Sequence, residues 1–451
     1  MVTIGDKQNL YKGSLKENLS IQKMTKVGLI SLGCAKNLVD SEMILGMLNQ
    51  SKFEIVNTIE DSDVIIVNTC GFIEDSKKES IENILDVCKY GKKVVVVGCL
   101  VERYLNELKE SIPEVDLWVP IREYSKLNEK LESLLLSKVQ VLNPFVRMLS
   151  TPSYMAYLRI SEGCNNCCAY CAIPLIRGSF KSRPFDDVIK EAVLLQEQGI
   201  KELVLISQDT TRYGSDLKEG KTIVDLLKEI EKIGFYSIRL LYLYPDEISD
   251  DLIEYIAHSK SVAPYFDIPL QHASNSVLKG MLRRGTKEDY INLINKIRNK
   301  VPHAILRTTY IVGFPGETDD DFAELVSFTK EIGFDHMGAF KYSREDHTKA
   351  DQYENQVDEK LKVSRLHFIM DLQKKISYKK NKEHIGEVME GIVIEAKPQS
   401  KQYLLRSYWN APDDIDGKIS FTSEKPLKCG EIVKVKITSA FVYDLYGEIV
   451  E

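Results

Sequence analysis

The chain has 451 residues, 28% of them charged and 43% hydrophobic, and a formal net charge of −7. That balance fits an ordinary globular chain of about two to four domains. It argues against a protein that grips nucleic acid with its whole surface, which would carry a basic surplus. No apolar run approaches the ~18 residues of a membrane span.

Residues 1–25 carry scattered lysines and no apolar core of a secretory signal, so they read as a flexible extension. Nine cysteines, clustered rather than evenly paired, suggest metal or redox chemistry in the cytoplasm instead of a secreted disulfide framework.

The first region spans residues 26–142. Its runs "KVGLISLGC", "DVIIVNTC" and "KKVVVVGC" alternate with helical stretches such as "DSEMILGMLNQ" and "DSKKESIENILDVCKY". Unbroken apolar strands alternating with helices predict an open parallel α/β sheet. Each of the three strands finishes at a cysteine, namely Cys34, Cys70 and Cys99. Ligands of open parallel sheets sit beyond the carboxyl ends of the strands, so these three thiols converge on one edge. Any one of them alone reads as a small core residue, since free cysteine is commonly buried; three strands ending alike favour a three-thiolate site. Cys88, inside a helix, and Cys429 lack such placement and read as structural.

The second region, residues 150–382, holds strand candidates at "YMAYLRIS", "KELVLIS", "YSIRLLYLY", "YFDIPL", "AILRTTYIVG" and "FDHMGAFKY", separated by amphipathic stretches. Six β/α repeats predict a partial (β/α)6 barrel with its chemistry at the carboxyl ends of the strands. After the first of these strands, "EGCNNCCAYCAIP" places Cys164, Cys168 and Cys171 in a Cys-x3-Cys-x2-Cys spacing. A structural zinc prefers four ligands, usually as two separated pairs, and no second pair follows. Three thiolates on a 4Fe-4S cube leave one iron open to a substrate or cofactor. Cys167 offers an alternative frame through Cys164, Cys167 and Cys171.

A charged helix over roughly 358–382 leads to residues 385–451. There "EVMEGIVIEA", "YLLRSYW", "GKISFT", "EIVKVKITSA" and "YGEIV" predict a small OB-like β-barrel. This segment has eight lysines and arginines against eleven aspartates and glutamates. A phosphate-gripping module would be basic; an acidic one suits a basic protein partner, or is merely a solvated surface.

The Cys-x3-Cys-x2-Cys loop resembles the hallmark of radical S-adenosylmethionine enzymes. The resemblance implies that the sulfonium cofactor chelates the open iron and is cleaved on one-electron reduction to a 5′-deoxyadenosyl radical. It puts Tyr170 at the family's usual aromatic position in the loop. "RTTYIVGFPGET", with Gly313, resembles the strand that contacts the adenine, although it lacks that pattern's first glycine. "SQDTTRYG" lies where such enzymes bind the methionine end, which marks Gln208; by itself the run would be a turn cluster. Gln271 and Arg284 are further cofactor-binding candidates; Arg283 and Arg284 are otherwise solvated. Gln208 and His272 are the catalytic candidates, though a lone histidine after a strand is more often structural.

"SLGCAKNLVDSE", "NTCGFI" and "GCLVERY" resemble the amino-terminal domain of methylthiotransferases, which binds an auxiliary 4Fe-4S cluster through three cysteines, here Cys34, Cys70 and Cys99. The last region looks like the family's TRAM domain. "LGCAKNLVDSE", "DIPLQHASNSVLKGMLRRG" and "APDDIDGK" resemble the branch that modifies an aspartate of small-subunit ribosomal protein S-twelve (the RimO type). The resemblance implies two 4Fe-4S clusters and S-adenosylmethionine as cofactors. It also implies a cellular electron donor and a sulfur source as partners, substrate met free or on the ribosome, and no need for a membrane or nucleic acid. A transfer-RNA adenosine methylthiotransferase and a non-enzymatic, zinc-stabilised ribosome-binding protein are the alternatives.

Overall fold

A computed structural model of the chain describes residues 24–51, 53–139 and 143–450. The expected extension over 1–25 lies outside the described residues apart from its last two. The chain divides into two compact units. One comprises the described residues up to Pro152 together with Ala172–Ser179; the other comprises Ser153–Cys171 and the chain from Phe180 onward.

The first unit is built on a five-stranded parallel sheet with the order β2-β1-β3-β4-β5. Its strands are β1 (Lys26–Ser31), β2 (Glu54–Ile55), β3 (Val64–Thr69), β4 (Lys93–Gly98) and β5 (Leu117–Pro120). The predicted strands are β1, β3 and β4; the structure adds the two-residue β2 and the short apolar run "LWVP" of β5. Strand alternation explains the layering. Ile65, Val67, Val94 and Val96 pack against Ile84 and Val87 of α2 (Glu74–Cys88) and Leu100 and Leu108 of α3 (Cys99–Ser111). Their neighbours Val64, Ile66, Val95 and Val97 face Ile44 and Leu48 of α1 (Ala35–Gln50) and Leu127 and Leu131 of α4 (Leu127–Leu135). Because both faces are covered, the strands are continuously apolar. Strand order reverses between β1 and β3, the topological switch point at which open α/β sheets place their ligands. The short helix α5 (Ile173–Arg177), far on in sequence, also belongs to this unit.

In the second unit six parallel strands form two three-stranded ladders, β6-β9-β10 and β11-β12-β13. They are β6 (Met155–Arg159), β9 (Glu202–Ile206), β10 (Ser237–Leu240), β11 (Tyr265–Asp267), β12 (Ile305–Val312) and β13 (His336–Lys341). A small antiparallel pair, β7 (Ser161–Glu162) with β8 (Lys181–Ser182), follows β6. Backbone bonds such as Leu243 N to Asp267 O, 2.8 Å, join the two ladders. The helices α6 (Phe185–Glu197), α7 (Ile223–Ile233), α8 (Asp250–His258), α9 (Asn275–Gly280), α10 (Lys287–Lys300) and α11 (Asp319–Ile332) alternate with these strands. Thr222, Thr286 and Thr318 each open their helix with a reciprocal capping box. This is the expected partial (β/α)6 barrel.

Helix α12 (Glu359–Glu383) leads to a closed five-stranded barrel of β14 (Val388–Lys397), β15 (Gln402–Arg406), β16 (Ile419–Thr422), β17 (Ile432–Ala440) and β18 (Leu445–Val450). Its β15–β16 loop reaches back into the barrel of parallel strands. Tyr157 of β6 donates to Asp413. Arg239 of β10, fully buried, donates to Ser407 O at 2.7 Å. Asp416 accepts from Tyr265 OH at 2.6 Å and Arg307 Nε at 3.3 Å, with His336 Nδ1 3.8 Å away. Tyr265, Arg307 and His336 lie toward the amino-terminal half of their strands, so this loop fills that end of the barrel and leaves the carboxyl ends for chemistry. Among the described residues no helix is long and apolar enough to cross a membrane.

Burial alone would raise the Asp416 pKa, but His336, Arg307 and the Tyr265 hydroxyl outweigh it and hold the carboxyl below its ordinary range. A depressed folded-state pKa contributes stability that is complete at neutral pH and is lost as pH falls through the folded value. Asp416→Ala takes the acceptor from Tyr265 and His336 and one of two carboxylates from Arg307, which keeps Asp267 at 3.0 Å, and should cost the second unit about 1–3 kcal/mol. Urea unfolding at pH 7 checks this. The difference between variant and parent should shrink as pH falls through the folded-state value.

Candidate functional site

In the first unit, Cys70 follows β3 directly, Cys99 opens α3 at the end of β4, and Cys34 caps α1 three residues beyond β1. Local backbone brings them close. A side chain at Gly33 would lie 2.8 Å from Cys70 Cβ, and one at Gly71 would lie 2.9 Å from the Cys99 carbonyl carbon. Ser80 of α2 holds the Cys70 backbone, accepting from its N–H at 3.0 Å and donating to its carbonyl at 2.9 Å. Burial raises the Cys70 thiol pKa and pushes Cys99 up to about 12. The Cys34 charge adds to both shifts and Cys70 adds to that of Cys99, so the three sulfurs share one electrostatic neighbourhood. Iron bound to the thiolates would remove this penalty, and the donor set suits a cluster.

Asn37, on the first turn of α1, organises the site. Its Nδ2 donates to Leu32 O and Thr69 O at 3.0 and 2.9 Å, and its Oδ1 accepts from Cys99 Sγ at 3.2 Å. Arg177 completes the arrangement with bonds to Asn37 Oδ1, Asp40 Oδ2 and Cys99 Sγ. Neither Asn37 nor Arg177 stands out in the sequence; both are buried polar residues beside cysteines, a relation that only folding creates.

In the second unit, Cys164, Cys168 and Cys171 lie half-buried on the loop after β7, whereas Cys167 is exposed with a left-handed φ of 51°. The loop is pinned through Ala169, whose N–H donates to Met281 O at 2.9 Å and whose carbonyl accepts from Ala350 N at 2.8 Å. Tyr170 packs against the cluster formed by Met281, Phe314, Tyr342 and their neighbours. Burial, then the charges of Cys168 and Cys171, push its phenol well above the usual range, while Arg283 opposes. Cys168 Sγ lies 3.8 Å from Tyr244 OH and 3.9 Å from Arg283 Nη1. Burial, Asp209 and Cys168 raise the Cys164 thiol, and the Asn166 amide opposes them with a bond to its sulfur at 3.5 Å.

Other expected residues are distributed unequally. Gln208 donates to Glu162 Oε1 at 2.8 Å, and its Oε1 is buried without a hydrogen-bond partner among the described residues. An orphaned buried acceptor of this kind suits a ligand donor. Gly313 sits at φ 72°, where a Cβ would fall 2.3 Å from Lys362 Cγ; its N–H donates to Glu317 Oε2 at 2.7 Å. Gln271 also has a positive φ, 73°, and its backbone pairs with β12 through Thr309 O and Ile311 N. His272 is fully buried. Its Nδ1 accepts from Ser274 N at 3.0 Å and its Nε2 lies 3.6 Å from Glu317 Oε2. Arg284 is exposed and tied to Asp246 and Glu247 at 2.8 and 2.9 Å. It also donates to Asn166 Oδ1 of the cysteine loop at 3.1 Å, while its neighbour Arg283 is the one that approaches a sulfur, that of Cys168. Cys88 packs beside the core of the first unit, and Cys429 is exposed on the small barrel. Among the described residues no three His, Cys, Asp or Glu side chains converge on a point suited to a single metal ion. A cube is wider than an ion, so its ligands need not converge so tightly.

Three family models match the chain: the uncharacterized protein family UPF0004 over residues 26–120, the radical SAM superfamily over 158–329, and the TRAM domain over 385–450. A ribosomal protein uS12 methylthiotransferase RimO from Clostridioides difficile is 47% identical, covering 94% of this chain and 99% of its own length. RimO proteins from Desulforamulus reducens and Acetivibrio thermocellus are each 45% identical and cover 95% and 94% of the chain. The chain belongs to the RimO family. RimO-like architecture also appears at the level of fold alone. The radical S-adenosylmethionine methyltransferase TsrM of Kitasatospora setae covers 73% of this chain and 74% of its own at a TM-score of 0.55 and 14% identity. The cobalamin-dependent radical enzyme OxsB covers 78% of this chain and 56% of its own at 0.52, also with 14% identity.

Exposure and thiol pKa together order the reactivity of the iron-free protein. Iodoacetamide at pH 7.5 should label Cys34, Cys167 and Cys429 well before Cys70 and Cys99, with rates read by peptide mass spectrometry.

Proposed function

We propose that the chain is a radical S-adenosylmethionine methylthiotransferase that adds a methylthio group to the β-carbon of an aspartate in ribosomal protein uS12. The observation that carries this reading is the 45–47% identity to RimO proteins across nearly the whole chain. Its two sets of three cysteines each lie beyond the carboxyl ends of parallel strands. In this reading residues 26–142 form the auxiliary-cluster domain, 150–382 the radical core and 385–451 the TRAM domain.

Two 4Fe-4S clusters and S-adenosylmethionine, when bound, supply the one-electron chemistry, the sulfur and the methyl group. The chain's own residues position them. Cys164, Cys168 and Cys171 would hold the radical cluster, and the bonds at Ala169 fasten their loop to the barrel. The exposed Cys167 points to the frame through Cys168, which has Tyr244 and Arg283 beside it. Tyr170 and the ring packing around Phe314 keep water from one side of the loop. Gln208 Oε1 offers a buried acceptor to the cofactor, and Gly313 lets backbone approach where a side chain would clash. Cys34, Cys70 and Cys99 would hold the auxiliary cluster. His272 serves best as a support: it contacts Glu317, which in turn holds the turn at Gly313.

The identity to RimO proteins supports the ribosomal protein as substrate; the acid surplus of the TRAM segment adds little, because Asp413 and Asp416 are bonded internally. An electron donor and a sulfur source act with the enzyme in the cytoplasm, where ribosomal protein is met.

An anaerobic assay with reconstituted protein, reductant, sulfide and S-adenosylmethionine tests the substrate, offering a peptide of the uS12 loop and a transfer RNA in parallel. Mass spectrometry should find the methylthio group on the peptide's aspartate and none on the RNA; addition to the RNA alone would overturn the substrate. In the same assay Cys168→Ala should abolish 5′-deoxyadenosine formation. Cys70→Ala should retain some of it and lose methylthio transfer. Full activity in both variants would defeat the two-cluster assignment.

A further inference from the structure

Arg177 is a cation buried at the auxiliary site, and it comes from the segment six positions past Cys171. Its side chain is 2% exposed and pairs with Asp40, 3% exposed, at 2.7 Å. The second terminal nitrogen donates to Asn37 Oδ1 at 2.6 Å and to Cys99 Sγ at 3.4 Å. Ala172 and Ile176 pack on Cys99, so the segment is seated by apolar contact as well as by charge. A left-handed Gly178, φ 72°, ends the helix directly after Arg177. Burying a guanidinium is costly unless its partners are well placed. Here one partner is a cysteine of the candidate cluster.

We propose that Arg177 is a positioning residue of the auxiliary cluster that sets its reduction potential by donating a hydrogen bond to the Cys99 sulfur. This rests on the proposed function, in which Cys34, Cys70 and Cys99 are cluster ligands. Reduction adds one electron to an already anionic cluster. A hydrogen bond and a positive charge at a ligating sulfur therefore stabilise the reduced form more than the oxidised form, and raise the potential. Asp40 fixes the guanidinium in place and at the same time offsets much of its charge. The two residues thus act on the potential with opposite signs, which a purely structural pair would not do.

The test uses the full chain carrying Cys164→Ala, Cys168→Ala and Cys171→Ala, so that any remaining cluster is the auxiliary one. After anaerobic reconstitution, iron is counted and the midpoint potential is read by dithionite titration with mediators, followed by electron paramagnetic resonance. Arg177→Gln should shift the potential negative, and Asp40→Asn should shift it positive. Arg177→Lys keeps the charge without the planar fork and should fall between Arg177→Gln and the parent. The double variant Arg177→Gln/Asp40→Asn removes both charges at nearly constant shape, so it serves if either single variant fails to fold. It should lie below the parent because the donor to Cys99 is gone. Unchanged potentials in iron-loaded variants, or shifts of the same sign in both singles, would overturn the inference and leave the proposed function standing. A triple-alanine parent that takes up no iron would overturn the auxiliary-cluster assignment itself.

Discussion

Parallel strand direction governs both units. In a parallel sheet all carboxyl ends lie along one edge, so residues that follow separate strands meet there even when far apart in sequence. Cys34, Cys70 and Cys99 are brought together in this way by β1, β3 and β4. The loop bearing Cys164, Cys168 and Cys171 follows β6 and the short β7 and is fastened by Met281 and Ala350. The opposite end of the second unit's barrel is filled by the β15–β16 loop. Asp413 and Asp416 there accept hydrogen bonds from tyrosines on β6 and β11.

That closure gives the small barrel a role besides contact with a substrate. Trp409 is fully buried, and its carbonyl meets His336 Nε2 at 2.8 Å. Arg239 spans Glu202 and the Ser407 carbonyl. A barrel with one end filled by a satisfied polar network presents reactive groups at the other end alone. The acidic "APDDIDGK" segment is therefore largely spent on internal bonds. Its contribution to the net charge of the small domain overstates the acidity it shows to a partner.

The two cysteine sites differ in how their polar surroundings arise. Around Cys168 the partners Tyr244 and Arg283 come from the strand ends and loops of the same barrel. Around Cys99 the partners are Asn37 of α1 and Arg177 of α5, separated by 140 positions. The segment directly after the Cys-x3-Cys-x2-Cys loop thus helps build the other site, and neither cysteine site is a self-contained stretch of chain.

The sequence alone determined a great deal. Continuous apolar strands, helices between them and cysteines at strand ends are local patterns, and so are the loop spacing and the five short strands of the last region. Their physical basis is side-chain periodicity and backbone direction, which neighbouring residues already encode. Only the tertiary structure decided which polar groups meet the cysteines. It chose Arg283 over Arg284 beside Cys168, buried His272 completely, and brought Arg177 to Cys99. It also added β5 and the two-residue β2, the latter too short to carry a pattern. Such pairings depend on how distant elements pack, and a buried charge keeps no trace in the sequence of the partner that makes its burial tolerable.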